Sequence, residues 1–326
     1  MKPLVSICCI TYNHEKYIKD ALDSFIMQET PFPFEILVHD DASTDKTAEI
    51  IRAYHRKYPD IVKPIYQKEN QFSKGKKPLH DFMMPLVTGK YIATCEGDDF
   101  WTEKDKLKKQ VEFLEKNMDF TMCIHKVKIV DTNKKPLGSY LGLRSKGSKK
   151  ISIKESAIGG IVHVSSRVIR TDFFRKPLPE WILNARHDDY ALSLYTAAEG
   201  QIYYIDEAMS AYRIGVENSM MTNLMINYNK EKDIRINLNR IETLKKADKY
   251  YNYQYRDEIE KVNLIYYVII SLLKNDFSGT AREKYRYYIS ENGLTEFLKI
   301  ILLKKYPTIA GLLVALKGKI SIARTL

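Results

Sequence analysis

The first hundred residues alternate between strand-like and helix-like segments, and this alternation restricts the folds available to the chain. LVSICCI (4–10), FEILVHD (34–40) and KYIATCEG (90–97) are short apolar runs of the kind that form strands buried on both faces. Segments 13–28 and 42–58, which follow the first two runs, carry apolar residues at helical spacing. Strand–helix–strand succession requires crossover connections and therefore predicts a mainly parallel sheet of the α/β class.

The remainder of the chain changes character twice. Residues 120–215 contain shorter strand-like pieces around a Gly/Ser/Lys-rich loop at 141–153, and GQIYYID and MSAYRI are predicted as two separate strands. From about residue 216 the sequence is heavily charged and helical in period. We therefore predict a first domain at 1–220 and a helical C-terminal region at 221–326, an organisation for which 326 residues suffice.

Charge and cysteine content narrow the class of protein. The formal net charge of +11 favours acidic partners, but no DNA- or RNA-binding motif accompanies it, so nucleic acid is not expected as a partner. The four cysteines (8, 9, 95 and 123) include no CxxC pair, which favours buried thiols in a reducing compartment. No signal-peptide pattern and no apolar run near the roughly 20 residues of a membrane span occur. We expect a cytoplasmic protein, with attachment to the inner face of the cell membrane as an open alternative.

Polar clusters follow three of the predicted strands, at the point where each strand ends. They are Thr11-Tyr12-Asn13, Asp40-Asp41 and Glu96-Gly97-Asp98-Asp99. Because ligands of such sheets bind beyond the carboxyl ends of the strands, the three clusters should converge on one site. A hard cation such as Mg²⁺ or Mn²⁺ is bound by one or two carboxylates together with substrate phosphate oxygens, which the third cluster could supply. The alternative for each acidic cluster is a solvated turn that caps the next helix.

These segments resemble, in order, the signatures of family 2 glycosyltransferases, and the resemblance extends over residues 3–215. It implies a GT-A fold, in which a Rossmann-like nucleotide-binding sheet is joined to a mixed acceptor half, here followed by the helical C-terminal region. It also implies binding of a nucleotide-diphospho-sugar with Mn²⁺ or Mg²⁺. The implied nucleoside contacts are Thr11, Tyr12 and Asp41, with Asp40 beside them, and the implied metal and diphosphate ligands are Asp98 and Asp99, with Asp99 closer to the metal.

The same resemblance implies an inverting transfer that needs a general base. Residues 186–214 resemble the family segment that carries this base, which places it at Asp189, with Asp188 as the second choice. From the residues alone, an acidic pair that opens a helix is more often a cap and dipole partner. Many relatives have a histidine soon after the positions of Tyr212 and Arg213, and its absence here leaves the third metal ligand unassigned.

Further side chains are candidates for the sugar or acceptor pocket. They are Glu96, Trp101, which could stack on a sugar face, and His163 and Ser165, which lie in the segment expected on the acceptor side. Ordinary packing in the core or in a strand is the alternative for Trp101, His163 and Ser165.

The end of the chain is basic and apolar. After Glu296 it contains no acidic residue, and its cations are Lys299, Lys304, Lys305, Lys317, Lys319 and Arg324. This pattern favours an interfacial helix on an anionic membrane, while a helix packed on the catalytic domain or a homodimerising arm are the alternatives. The leading hypothesis is a nonprocessive glycosyltransferase that moves a sugar, UDP-linked by resemblance, to a glycan or lipid-linked acceptor in surface polysaccharide synthesis. The competing hypothesis is a non-catalytic GT-A-like scaffold that binds nucleotide-sugar or another glycosyltransferase.

Overall fold

The predicted parallel sheet forms the first half of the computed structural model, which describes residues 2–143, 147–185, 188–217, 219 and 229–305. Four parallel strands lie in the order β3–β2–β1–β4, and two helices cross between the first three. The three inner strands β1, β2 and β4 are buried almost throughout, as expected of apolar strands covered on both faces. The elements are β1 (Val5–Thr11), α1 (Ile18–Ile26), β2 (Phe34–Asp40), α2 (Thr47–Lys57), β3 (Val62–Tyr66) and β4 (Tyr91–Glu96).

The second half continues the same sheet as β4–β9–β6–β10–β5, and with β7 on β6 and β8 on β10 the described residues contribute ten strands to it. β9 is antiparallel to both of its neighbours, which makes this half mixed. The elements are β5 (Phe100–Trp101), α3 (Lys106–Lys116), β6 (Met122–Val130), β7 (Pro136–Leu141), β8 (Lys149–Ile151), α4 (Ile153–Ile158), β9 (Val168–Arg170), α5 (Thr171–Arg175), α6 (Glu180–Leu183), α7 (Asp188–Glu199) and β10 (Ile202–Arg213).

One strand differs from the sequence-based expectation. The two strands predicted at 200–206 and 209–214 form the single strand β10, whose pairing with β6 shifts register between Ile205 and Ala208 and again between Ala208 and Ser210. Such bulges accommodate extra residues in one strand without ending the pairing. Asp206 and Glu207 lie in this irregular part of the strand.

Two hydrophobic cores lie on the two faces of the sheet, and a third joins the C-terminal helices to the rest. The helices of this region are α8 (Lys230–Tyr250), α9 (Arg256–Lys274), α10 (Gly279–Asn292) and α11 (Leu294–Lys305). Buried residues of α4, α6 and α7, such as Tyr190 and Leu194 of α7, share one core with these helices. The helices contribute Leu244 of α8 and Tyr266 of α9, among others. The predicted boundary at 220/221 lies outside the described residues, and on either side of it the chain contributes to this common core.

The C-terminal expectations can be followed only as far as residue 305. Lys304 is buried and forms an ion pair with Asp233 of α8 at 2.9 Å, and Lys299 pairs with Glu296 at 2.6 Å. The structure therefore favours the packed-helix alternative for α11, whereas Lys317, Lys319 and Arg324 lie outside the described residues. No helix within the described ranges is both long and apolar enough to cross a membrane.

The shared core generates a prediction about cooperativity. Leu244 of α8 is fully buried in it, so Leu244→Ala should lower the free energy of unfolding by about 2–5 kcal/mol. Because α7 packs on the same core, its amide protons should exchange faster in this variant, as measured by hydrogen-exchange mass spectrometry. Leu238→Ala, on the same helix but 47% exposed, is the control and should change stability by less than about 0.5 kcal/mol. Unchanged exchange in α7 would show that the C-terminal helices unfold as a separate unit.

Candidate active site

The loop that follows β4 brings three carboxylates together. One oxygen from each of Glu96, Asp98 and Asp99 lies within 4.8 Å of the others. Asp99 is fully buried, its Oδ1 accepts a hydrogen bond from the backbone N–H of Arg213 at 3.0 Å, and its Oδ2 has no hydrogen-bond partner among the described residues. Burial, followed by the charges of Asp98 and Glu96, raises the pKa of Asp99 well above its usual range. A buried carboxylate oxygen without a donor, next to two further carboxylates, fits a hard divalent cation.

A buried arginine holds this loop from behind. The Arg213 side chain is fully buried, donates to the carbonyl oxygen of Asp98 at 2.6 Å and pairs with Asp20 of α1 at 2.7 Å. Its guanidinium lies 4.6 Å from the ring centroid of Tyr17 and 5.1 Å from that of Phe100. Arg213 therefore supports the acidic loop from within the protein. No local sequence pattern marks Arg213 as the partner of this loop, because Asp98 lies 115 residues earlier in the chain.

The acidic loop packs closely against the end of β1. A Cβ atom on Gly97 would lie 2.6 Å from Thr11 Oγ1 and 3.0 Å from His14 Nδ1, so position 97 requires glycine. The Thr11 side chain is buried beneath the loop, whereas Tyr12 is 43% exposed at its edge. His14 has its Nε2 3.9 Å from Asp98 Oδ2. Burial lowers the pKa of His14 by more than the charge of Asp98 raises it.

The two aspartates after β2 are buried and shape the neighbouring loops. Asp40 Oδ1 accepts a hydrogen bond from the backbone N–H of Ser43 at 3.2 Å. The two oxygens of Asp41 accept from the backbone N–H groups of Gln71 at 2.8 Å and Phe72 at 3.0 Å. Asp40 Oδ1 also accepts from the Ser43 hydroxyl, whereas each oxygen of Asp41 has a further lone pair that a ligand could use. The backbone N–H of Asp41 also donates to the Thr11 carbonyl at 3.0 Å, so the clusters after β1, β2 and β4 do converge at one edge of the sheet.

A short turn before β9, residues 163–166, lies across from the acidic loop. Ser165 is fully buried and forms hydrogen bonds with both His163 Nδ1 and Ser210 Oγ, each at 2.9 Å. The ring of His163 packs on Tyr212, with centroids 4.7 Å apart, and its Nε2 lies 3.9 Å from Asp99 Oδ2. Ser165 therefore holds the His163 ring by its Nδ1, and the Nε2 on the other side of the ring lies near Asp99.

Trp101 has a different place from the one expected of a sugar-stacking ring. It is 1% exposed, its ring meets Phe25 edge-on at 4.8 Å and carries Lys106 Nζ at 4.1 Å, and its Nε1 donates to the Ser165 carbonyl at 3.1 Å. The indole is packed in the core, which corrects the stacking expectation. Through the hydrogen bond of Nε1, the indole contacts the turn at 163–166 from the core side.

The two candidates for the general base, Asp188 and Asp189, lie in the first turn of α7. Asp189 has an exposed side chain, while its backbone carbonyl accepts a hydrogen bond from Ser193 at 2.7 Å. The side chain of Asp188 lies outside what the structure describes. Burial, followed by Arg167, lowers the pKa of His163 to about 4, and the charge of Asp189 opposes this shift. His163 is thus within electrostatic reach of Asp189 and close to Asp99.

Comparison with solved structures identifies the fold class of the protein. The crystal structure of residues 1–349 of Staphylococcus aureus TarS in complex with UDP-GlcNAc superposes with a TM-score of 0.58 at 20% identity, over 92% of this chain and 82% of that one. This similarity shows that the chain has a GT-A fold with additional C-terminal helices.

The particular family follows from the sequence. The model of glycosyl transferase family 2 matches residues 6–176, just over half of the chain, and the protein therefore belongs to that family. An uncharacterized protein of Mycobacterium tuberculosis is 33% identical over 215 residues, which are 64% of this chain but only 58% of that protein's length. The putative teichuronic acid biosynthesis glycosyltransferase TuaG of Bacillus subtilis is 29% identical over 225 residues, covering 68% of this chain and 83% of TuaG.

The buried ion pair predicts a large difference between two basic residues. Arg213→Ala leaves Asp20 and the Asp98 carbonyl without their buried donor, so the free energy of unfolding should fall by about 3–5 kcal/mol in chemical denaturation. Lys134→Ala removes the other partner of Asp20, a half-exposed lysine at 2.9 Å, and should cost less than about 1 kcal/mol. Equal, small losses in the two variants would contradict the supporting role of Arg213.

Proposed function

We propose that the protein is an inverting, metal-dependent, nonprocessive glycosyltransferase that uses a nucleotide-diphospho-sugar, with UDP as the favoured nucleotide. The observation that carries this proposal is the buried carboxylate of Asp99, whose Oδ2 has no donor among the described residues and lies in a cluster with Asp98 and Glu96. A carboxylate in that setting is stable in its ionised form only next to a cation. Membership of family 2 supports a sugar transfer as the reaction that uses this cation.

The donor side of the proposed site consists of the loops after β1, β2 and β4. Asp99 and Asp98 are the residues that would hold Mn²⁺ or Mg²⁺, and the ion would neutralise the charge of the diphosphate leaving group. Tyr12 and Asp41 are the proposed nucleoside contacts, with Asp40 beside them. Thr11 would contribute through its main chain and by supporting the loop, because its side chain is buried.

The acceptor side is assigned to α7 and the turn at 163–166. We assign the general base to Asp189, with Asp188 as the second choice, since an acceptor hydroxyl must lose one proton as it attacks the anomeric carbon. Asp189 is exposed and so accessible to an acceptor. One such displacement, with the nucleoside diphosphate leaving from the opposite face of the sugar, inverts the configuration of the anomeric carbon.

The acceptor class rests on the relatives. TuaG is named for teichuronic acid biosynthesis, and TarS was solved with UDP-GlcNAc. These names support a hydroxyl of a glycan or lipid-linked acceptor of surface polysaccharide as the target, and UDP as the nucleotide. A lipid-linked acceptor would lie at the inner face of the membrane, where residues 306–326 would provide basic charge. Flotation of the full chain with anionic and with neutral vesicles tests that location.

Thermal unfolding with a panel of nucleotides tests the donor site. A ligand that binds only the folded protein raises the unfolding midpoint by mass action. We expect UDP to raise the midpoint in the presence of Mn²⁺ or Mg²⁺ and to lose this effect in EDTA, while ADP and GDP give smaller shifts. Asp99→Ala should abolish the metal-dependent part of the shift. If no nucleotide shifts the midpoint of the folded protein, the scaffold hypothesis replaces the enzyme.

Substitution of the proposed base should separate chemistry from binding. Asp189→Asn should lower kcat by about 10²–10⁴-fold and leave the affinity for the donor nearly unchanged, because the base acts only in the chemical step. Asp257→Asn, in the first turn of α9, is the matched control and should leave kcat unchanged. An Asp189→Asn protein that retained its rate would move the assignment to Asp188.

A further inference from the structure

The turn at 163–166 is held unusually firmly for a loop. Its three consecutive backbone carbonyls each accept a hydrogen bond from a side chain of another element. Val164 is bound by Thr94 at 2.6 Å, Ser165 by Trp101 at 3.1 Å and Ser166 by Gln110 at 2.8 Å. The donors come from two strands of the sheet, β4 and β5, and from the helix α3, so the turn is bound to three separate elements. A turn fixed in this way presents its first side chain, His163, in one position.

The hydrogen bonds of His163 also determine which ring nitrogen carries the proton. The backbone N–H of Ser165 donates to Nδ1 at 3.2 Å, so Nδ1 must present its lone pair. Ser165 Oγ contacts the same nitrogen at 2.9 Å and continues to Ser210 Oγ at 2.9 Å. A neutral imidazole has one N–H, which is therefore at Nε2. Nε2 is then a hydrogen-bond donor and has no lone pair for a metal ion.

This N–H points to a part of the site where no described residue accepts its hydrogen bond. The distance of 3.9 Å from Nε2 to Asp99 Oδ2 is too long for one. The His163 side chain is 15% exposed, whereas that of Asp99 is fully buried. Asp99 lies on the proposed diphosphate side, and Asp189, on the proposed acceptor side, is within electrostatic reach of the ring. The group that must lie between a bound diphosphate and an acceptor hydroxyl is the transferred sugar.

We propose that His163 is a sugar-binding residue, whose fixed Nε2–H donates a hydrogen bond to an oxygen of the transferred sugar. This inference rests on the proposed function. It adds the identity of a residue that recognises the sugar rather than the nucleotide. Ser165 and the side chains that donate to the carbonyls of the turn (Thr94, Trp101 and Gln110) are positioning residues, because they act on the substrate only through His163.

The test compares nucleotide with sugar nucleotide. Calorimetric titrations with UDP, UDP-glucose, UDP-galactose and UDP-N-acetylglucosamine, each with Mn²⁺, are made on the wild-type protein, on His163→Phe and on His163→Gln. Phenylalanine keeps the ring without the N–H, whereas the glutamine amide can place an N–H near the same point. We expect His163→Phe to bind UDP as the wild type does and to lose about 3- to 10-fold in affinity for the preferred sugar nucleotide, and His163→Gln to recover most of that loss.

The outcomes distinguish this inference from the function on which it rests. A wild-type protein that binds none of the nucleotides overturns both. An equal loss of UDP and sugar-nucleotide affinity in His163→Phe overturns the inference alone, because the ring would then act on the metal or the diphosphate. Nitrogen-15 NMR of the wild-type protein provides a second test that does not depend on affinity, with the His163 signals assigned by their absence in His163→Gln. A proton on Nδ1 in place of Nε2 would also overturn the inference.

Discussion

The site depends on one buried interaction, the contact of the Arg213 guanidinium with the acidic loop and with α1. Three carboxylates in four residues repel one another, and two of them are buried. Arg213 places a permanent positive charge behind them and fixes the Asp98 carbonyl, while its backbone N–H fixes Asp99. The Oδ2 of Asp99 is left without a hydrogen-bond donor among the described residues. This unbalanced charge is what makes a cation binding site chemically reasonable.

The C-terminal helices contribute to the site through packing. Tyr190, the neighbour of the proposed base, and Tyr266 of α9 both donate to the carbonyl of Ala157, at 2.6 and 3.1 Å. The guanidinium of Arg240 lies between the two rings, 5.7 and 5.6 Å from their centroids. The start of α7 is therefore braced from α8 and α9. The helical C-terminal region therefore forms part of the support of the proposed acceptor side.

Sequence patterns predicted the parts of the fold that depend on local chemistry. The strand at 34–40 was predicted with the bounds it has, because an apolar run between turn residues leaves little choice. The acidic loop was visible for the same reason, since its members are adjacent in the chain. Arg213 contacts Asp98 across 115 residues, and no local pattern encodes such a contact. For Trp101 the sequence left stacking and core packing as alternatives, because it does not show that Lys106 and Phe25 cover the ring.

The side chains that hold the site from behind include buried charged groups, whose burial costs stability. Lys106 is fully buried, donates to Gln110 at 2.8 Å and has its pKa lowered by burial to about 7, and Arg213 retains a buried Nε without a partner among the described residues. Apolar residues of similar volume would often give equal or greater stability at such positions. Apolar residues, however, could not donate the hydrogen bonds that fix the carbonyl groups of Asp98 and Ser166. We therefore interpret these buried polar groups as fixing the orientation of the acidic loop and of the His163 turn, at some expense in stability.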